Sequence, residues 1–257
     1  MNIWVLLKQT FDTEEKIVLA GDGISEAGVK WIINPYDEYA VEEAIRLVEQ
    51  RGGKVHLLSV GPERTGEALR TALAMGADEA VLIHDSRIPQ DEWAVAKVLA
   101  TFLADQGADL ILGGNFSVDH GAGQIAIRIA EQLGLPHIGS ITKLDIAAGG
   151  EAVVHRDAEG DTEIISAPLP ALFTAQQGLN EPRYPTLPGI MKAKKKPFKQ
   201  LSLDDIAGIS PEDLAPRTTR VSLGLPKARQ AGVILQGDLA AQAADLIRRL
   251  RQDAKVI

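Results

Sequence analysis

Short apolar runs and amphipathic stretches alternate through the first half of this chain, and nothing else in it limits the fold so strongly. Residues 3–7, 55–60, 80–83 and 109–113 each read as a buried strand. Between and after them, apolar residues recur at helical spacing. Val41, Ala44, Ile45 and Val48 form one stripe; Leu69, Ala72, Leu73 and Met75 form another; 94–103 is a third helix. Asn34-Pro35 opens the first helix, with Asn34 as N-cap and Pro35 preset for the first helical position, and Arg51-Gly52-Gly53 stops it. Such alternation predicts a doubly wound α/β fold around a mostly parallel, Rossmann-like sheet covered on both faces. Right-handed crossovers would then gather the loops at 8–13, 34–36, 59–62 and 114–124 on one sheet edge, where ligands sit at a topological switch point.

The stretch 109–136, DLILGGNFSVDHGAGQIAIRIAEQLGLP, is the centre of that edge. It reads as a strand, a loop of small and polar residues, and a helix with Ile125, Ile129, Ala130 and Leu133 on one face. Few large side chains stand in the loop, so its backbone N–H groups can approach a ligand closely. The helix start behind it adds partial positive charge, a combination suited to phosphate or pyrophosphate. The loop is neither GxGxxG nor a P-loop, and a tight turn needing glycine for geometry accounts for the same pattern. Lys8, in the loop expected at 8–12, could face a phosphate, and a solvated lysine at a strand end accounts for it equally simply. His120 lies inside the glycine-rich loop and could touch a ligand. Residues 13–33 are polar, and Gly21 and Gly23 suggest a small hairpin or excursion.

After Pro136 the texture changes. Residues 140–146, 152–156, 162–166 and 171–174 look like short strands separated by Gly or Asp turns, an antiparallel meander beside the parallel sheet. Residues 180–199, NEPRYPTLPGIMKAKKKPFK, are too rich in proline for a regular helix or a central strand. Residues 201–236 carry Pro211, Pro216 and Pro226 and read as an arm, and 239–253 as a final helix with Ala243, Ala244, Ile247 and Leu250 apolar. The expected division is a nucleotide-binding α/β domain over 1–199, with a docking loop near 184–196, and a C-terminal arm over 200–257 that packs on another subunit.

Composition narrows the function classes. The chain has 257 residues, 45% of them hydrophobic and 24% charged, as in an ordinary water-soluble domain. A net charge of -8 argues against nucleic acid and anionic membranes as partners. With no cysteine, disulfides, thiolate nucleophiles, cysteine-bound iron–sulfur clusters and Cys-type zinc sites are excluded. No apolar run reaches the length of a membrane span, and the N-terminus does not read as a secretory signal, so an intracellular, cytoplasmic protein is expected. The five histidines are scattered without HxxxH, so no metal site is expected. No GxSxG nucleophile or spaced acid–base pair is visible, which points to a carrier or binding subunit rather than an enzyme. Lys192, Lys194, Lys195 and Lys196 form a basic cluster after the tip Leu187-Pro188-Gly189-Ile190-Met191, whose apolar residues in a proline-stiffened segment suit docking.

Several blocks together resemble the beta subunits of electron transfer flavoproteins: VLLKQTFDT, INPYDEYAVEEAIRLVE, LSVGPERTGEALRTALAMGADEAVLI, SVDHGAGQ, PLPALFTA and LNEPRYPTLPGIMKAKKK, in order from residue 5 to 196. The resemblance implies a heterodimer with an alpha subunit and one electron-carrying FAD held mostly by that subunit. It implies a nucleotide in this chain too, AMP in ordinary members or a second FAD in electron-bifurcating ones that oxidise NADH. A stand-alone adenine-nucleotide sensor is a third reading of the same fold. By motif position, Leu6, Asn34, Val60 and the 114–124 loop, with Gly114, Asn115, Asp119, His120, Gly121, Ala122, Gly123 and Gln124, would line the nucleotide. Thr13 and Tyr36 would lie toward the alpha-bound flavin, although many relatives have an aromatic residue at the Thr13 position. Where many members carry DxDxxQ, this chain has Asp119, Gly121 and Gln124. Leu187 matches the anchoring leucine of a recognition loop that docks flavin dehydrogenases such as acyl-CoA dehydrogenases, with Pro188, Ile190 and Met191 beside it. Asp157 matches an acidic residue that contacts the mobile flavin domain of the alpha subunit. Electrons would leave the FAD for a quinone reductase.

Overall fold

The computed structural model describes residues 1–257 except 22, 148, 229 and 230. Its first elements are β1 (Asn2–Leu6), β2 (Gln9–Phe11), β3 (Leu19–Ala20), β4 (Gly23–Ile24), β5 (Trp31–Ile33), α1 (Pro35–Arg51), β6 (Lys54–Val60) and α2 (Thr65–Met75). Then come β7 (Glu79–Ile83), α3 (Glu92–Leu103), β8 (Leu110–Gly114), α4 (Ile125–Leu133), β9 (His137–Ile146), β10 (Glu151–Ala158) and β11 (Asp161–Pro168). The chain ends with β12 (Ala171–Ala175), α5 (Leu187–Ala193), β13 (Phe198–Leu201), two 3-10 turns (Leu203–Asp205 and Pro211–Leu214) and α6 (Leu239–Gln252).

A nine-stranded sheet runs in the order β11-β10-β9-β12-β8-β1-β6-β7-β13. Pairing is parallel from β9 across to β13, and antiparallel between β9, β10 and β11. The two faces of the sheet divide the core by strand periodicity. From β1, Ile3 and Val5 enter one apolar cluster with α1, α2 and α5 residues, whereas Trp4 and Leu6 enter the other with α3 and α4. Leu110 and Leu112 of β8 likewise part from Ile111. The mostly parallel, doubly wound architecture is therefore the expected one.

Several local expectations are corrected. The strand at 171–174 does not belong to the meander: β12 lies parallel between β8 and β9, and all five of its residues are buried. Its run ALFTA, apolar except for Thr174, is what a strand covered on both faces favours. The loop expected at 8–12 contains β2, which pairs antiparallel with β5. A helix does form within 180–199. In α5, Pro188 sits in the first turn, where a missing N–H costs no intrahelical bond, and the Thr186 hydroxyl caps the Gly189 amide at 3.2 Å.

By contact density the chain forms two compact units, one of Met1–Val18 with Ile24–Val221 and one of Leu19–Gly23 with Ser222–Ile257. Beyond residue 200 the chain is still part of the first unit, where Leu203, Ile206 and Leu214 are buried in the α3–α4 layer. The Asp91 carboxylate caps α3 by accepting from the Trp93 and Ala94 amides, and also accepts from the Arg217 and Thr218 amides at 3.2 and 3.0 Å. That double duty fastens the segment before Val221. In the second unit, α6 starts at Asp238, whose carboxylate accepts from the Ala241 amide at 2.8 Å. None of the α6 side chains is buried.

Candidate functional site

The order of strands reverses between β1 and β8, so the switch-point rule places the candidate ligand crevice at their carboxyl ends. One buried side chain joins the segments there. Asp37, in the first turn of α1, accepts from the Lys8 amide (2.7 Å) on one oxygen. Its other oxygen accepts from the Gly114 amide (3.0 Å) and from Asn34 Nδ2 (3.0 Å). The carboxyl thus ties the exits of β1 and β8 to one helix start. Burial pushes Asp37 up to about 7, against the pull of those N–H donors.

The side chain of Asn34, expected to cap α1, does not do so. Its Nδ2 also donates to the Phe116 carbonyl (3.0 Å), and its Oδ1 accepts from the Val118 amide (3.1 Å). The side chain that could have closed the helix instead grips the loop after β8. Tyr36 and Phe116 pack ring to ring at 4.3 Å on the same seam. Gly114 is required there, since an added Cβ would overlap Asp37 Oδ1 and the Tyr36 Cβ. Asn115 turns toward β12, where its Oδ1 accepts from the buried Thr174 hydroxyl at 3.1 Å.

Beyond Val118 the loop opens. Asp119, His120, Gly121, Ala122, Gly123 and Gln124 are exposed, with Gly121 and Gly123 in the left-handed region at φ 66° and 60°. The Gln124 side chain does not cap α4, because its Oε1 accepts from Arg128 (2.7 Å). The first amides of α4 therefore gain no bond from the N-cap side chain, and they form the positive end of the helix. The Lys8 ammonium donates to Asp119 Oδ1 (2.7 Å) and to Ser117 Oγ (3.2 Å). Burial is the largest single influence and opposes charge on Asp119, but the hydrogen bond and charge of Lys8, together with the Ser117 hydroxyl and other neighbours, outweigh it and hold the carboxyl below its usual range. Leu6 is buried beneath the crevice, and Val60 ends β6 half-buried. The residues present suit a phosphate-bearing ligand: amide donors, one ammonium, and glycines that leave the backbone bare.

Asp37 and Thr174 are residues of the candidate site that the sequence alone does not single out. An acid three residues after Asn34 is what any helix start favours, so Asp37 has no distinguishing signal. Thr13 is exposed in the turn after β2, and Asp157 is exposed on β10 opposite Thr162. Among the described residues, no group of three or more His, Asp or Glu side chains could hold a metal, and no helix is long and apolar enough to cross a membrane.

A second surface lies on α5. Leu187 is 75% exposed and Met191 61%, with Pro188 and Ile190 also open. The helix is seated closely on α2, because a Cβ at Gly189 would strike the Ala74 carbonyl. Lys196 is not part of a free basic cluster: its ammonium donates to the carbonyls of Leu73 (2.9 Å), Gly76 (3.2 Å) and Ala77 (2.5 Å), closing the end of α2. The segment leading into α5 is tied to α1, since Arg183 forks between Glu42 (2.8 Å) and Glu49 (2.6 Å), and Asn180 donates to Glu43 (2.9 Å). Burial works against charge on Glu42, yet the Arg183 and Arg46 hydrogen bonds outweigh it and hold the carboxyl below its usual range. Hydrogen bonding from Arg183 likewise lowers Glu49.

Comparison with known proteins gives the context. Residues 23–206 match the family model described as the electron transfer flavoprotein domain. The chain is 53% identical over 259 residues to a Bacillus subtilis protein named electron transfer flavoprotein subunit beta, covering all of both chains. It is 39% identical over 257 residues to a protein of that name from Syntrophomonas wolfei, covering all of this chain and 98% of the relative. A mitochondrial counterpart in Oryza sativa subsp. indica is 38% identical over the full length of both. This chain belongs to the electron transfer flavoprotein family, among its beta subunits.

Proposed function

We propose that this chain is the nucleotide-holding, partner-docking half of a heterodimeric electron carrier whose other half is an electron transfer flavoprotein alpha subunit. The observation that carries the reading is the crevice between β1 and β8, clamped by Asp37 and Asn34 and lined by Lys8 and the bare backbone of 114–124. Its donor set suits the 5′-phosphate of AMP, with Leu6 and Val60 offering apolar contact to the adenosine. FAD, shared with the alpha subunit on the side of Thr13 and Tyr36, supplies the electron-carrying chemistry when bound. The residues of this chain hold and orient; they do not transform a substrate. Leu187, Pro188, Ile190 and Met191 dock flavin dehydrogenases such as acyl-CoA dehydrogenases, and a quinone reductase takes the electrons onward. Asp157 contacts the flavin domain of the alpha subunit, the second compact unit packs on that subunit, and the heterodimer works in the cytoplasm.

Titration of AMP into the nucleotide-stripped heterodimer tests the crevice. Wild type binds AMP, and Gly114→Ala, whose methyl group displaces Asp37, binds it at least tenfold more weakly while keeping its circular dichroism, the scale of about 1.4 kcal/mol. Equal AMP affinity in the folded variant would contradict the assignment.

A further inference from the structure

The ammonium nearest the open half of the loop is already engaged. Lys8 Nζ lies 2.7 Å from Asp119 Oδ1 and 3.2 Å from Ser117 Oγ, so a carboxylate of the same loop cancels its charge. The two side chains are 38% and 25% exposed, which leaves the pair open to water and to exchange. The buried carboxylate nearby, Asp37, takes no part, since its oxygens are occupied by the Lys8 and Gly114 amides and by Asn34. On the far side of Asp119, His120 Nδ1 is 3.8 Å from Glu92, so that imidazole faces a carboxylate of α3.

An anion arriving at the loop beside Lys8 therefore meets a neutral ion pair rather than a free cation. To gain Lys8, a phosphate must loosen the ammonium from Asp119, and it then lies beside a like charge. From this arrangement, which rests on the nucleotide reading above, we propose that Asp119 limits the affinity of the cleft for phosphate by holding Lys8 in reserve. Ligand atoms that carry no charge, the adenine and ribose, are indifferent to the pair.

The test uses the full heterodimer with its FAD retained and the cleft stripped of nucleotide, titrated with AMP and with adenosine at two salt concentrations. Asp119→Asn keeps the size of the side chain and removes its charge. The variant binds AMP about fivefold more tightly, the upper scale for a partly exposed pair, and adenosine unchanged. Its AMP affinity falls more steeply with added salt than that of wild type, because Lys8 now acts as a free cation. Lys8→Met reduces AMP affinity toward that of adenosine. Unchanged or weakened AMP binding in Asp119→Asn overturns the proposal. If adenosine weakens as well, Asp119 instead grips the sugar or shapes the loop. If wild type binds neither AMP nor adenosine, the nucleotide reading itself fails and the limit on affinity falls with it.

Discussion

Asp37 carries the greatest structural burden of any single residue at the crevice. Replacing it with alanine leaves the Lys8 and Gly114 amides and one Asn34 N–H without their acceptor in a buried place. Each such group costs about 1–3 kcal/mol, so Asp37→Ala lowers stability by roughly 3 kcal/mol or more in urea denaturation and empties the cleft of nucleotide. A loss below about 1 kcal/mol would contradict the clamp. Leu187 is the opposite case, an exposed side chain whose value lies outside the fold. Burying one leucine contributes about 1.5–3 kcal/mol, so Leu187→Ala slows electron transfer from a flavin dehydrogenase about tenfold or more at limiting concentration. Flavin content stays unchanged, and normal transfer kinetics would sink the docking role. At this scale the sequence is legible where chemistry is rare and silent where it is ordinary. The glycines of 114–124 stand out in composition, whereas Asp37 looks like any helix-start acid, Lys8 like any strand-end lysine, and Lys196 is not told apart from the rest of its basic cluster.

Among elements, the alternation of apolar run and amphipathic stripe is enough to locate β1, β6, β7, β8 and the helices between them, because period alone distinguishes these elements. It cannot assign β12, since a run of five buried residues carries no record of which neighbour it pairs with. Nor does it reveal α5, where proline density hides a helix whose proline falls in the only turn that tolerates one. What fastens the approach to α5 is electrostatic and therefore depends on pH. Glu42 and Glu49 both titrate below the ordinary glutamate value of 4.5 in the folded chain. Their contribution is present above that value and is lost as pH falls through the lowered range. The protection factors of the amides at 180–186, exchange rates taken relative to the intrinsic rate at each pH, should therefore fall on acidification below 4.5 in wild type, whereas in Arg183→Ala they are low already at neutral pH and change little. Matching exchange in the two proteins at neutral pH would show that Arg183 is not the fastener.

For the molecule as a whole, the sheet and its switch point follow from pattern, but the limit of the first compact unit does not. Pro211 and Pro216 suggest an arm, yet Leu203, Ile206 and Leu214 are spaced to fill the α3–α4 layer, and Asp91 pins the backbone at Arg217 and Thr218. The second unit joins Leu19–Gly23 with Ser222–Ile257, and its helix α6 leaves Leu246 and Ile247 about half exposed. The division of labour proposed for the heterodimer is a nucleotide in this chain and a flavin shared with the other. It is tested most directly by co-purifying the complex, denaturing it in acid and counting the nucleotides released per heterodimer. One AMP with one FAD is the expected result. Two FAD without AMP, or no adenine nucleotide beyond the shared FAD, would contradict the reading of the crevice between β1 and β8.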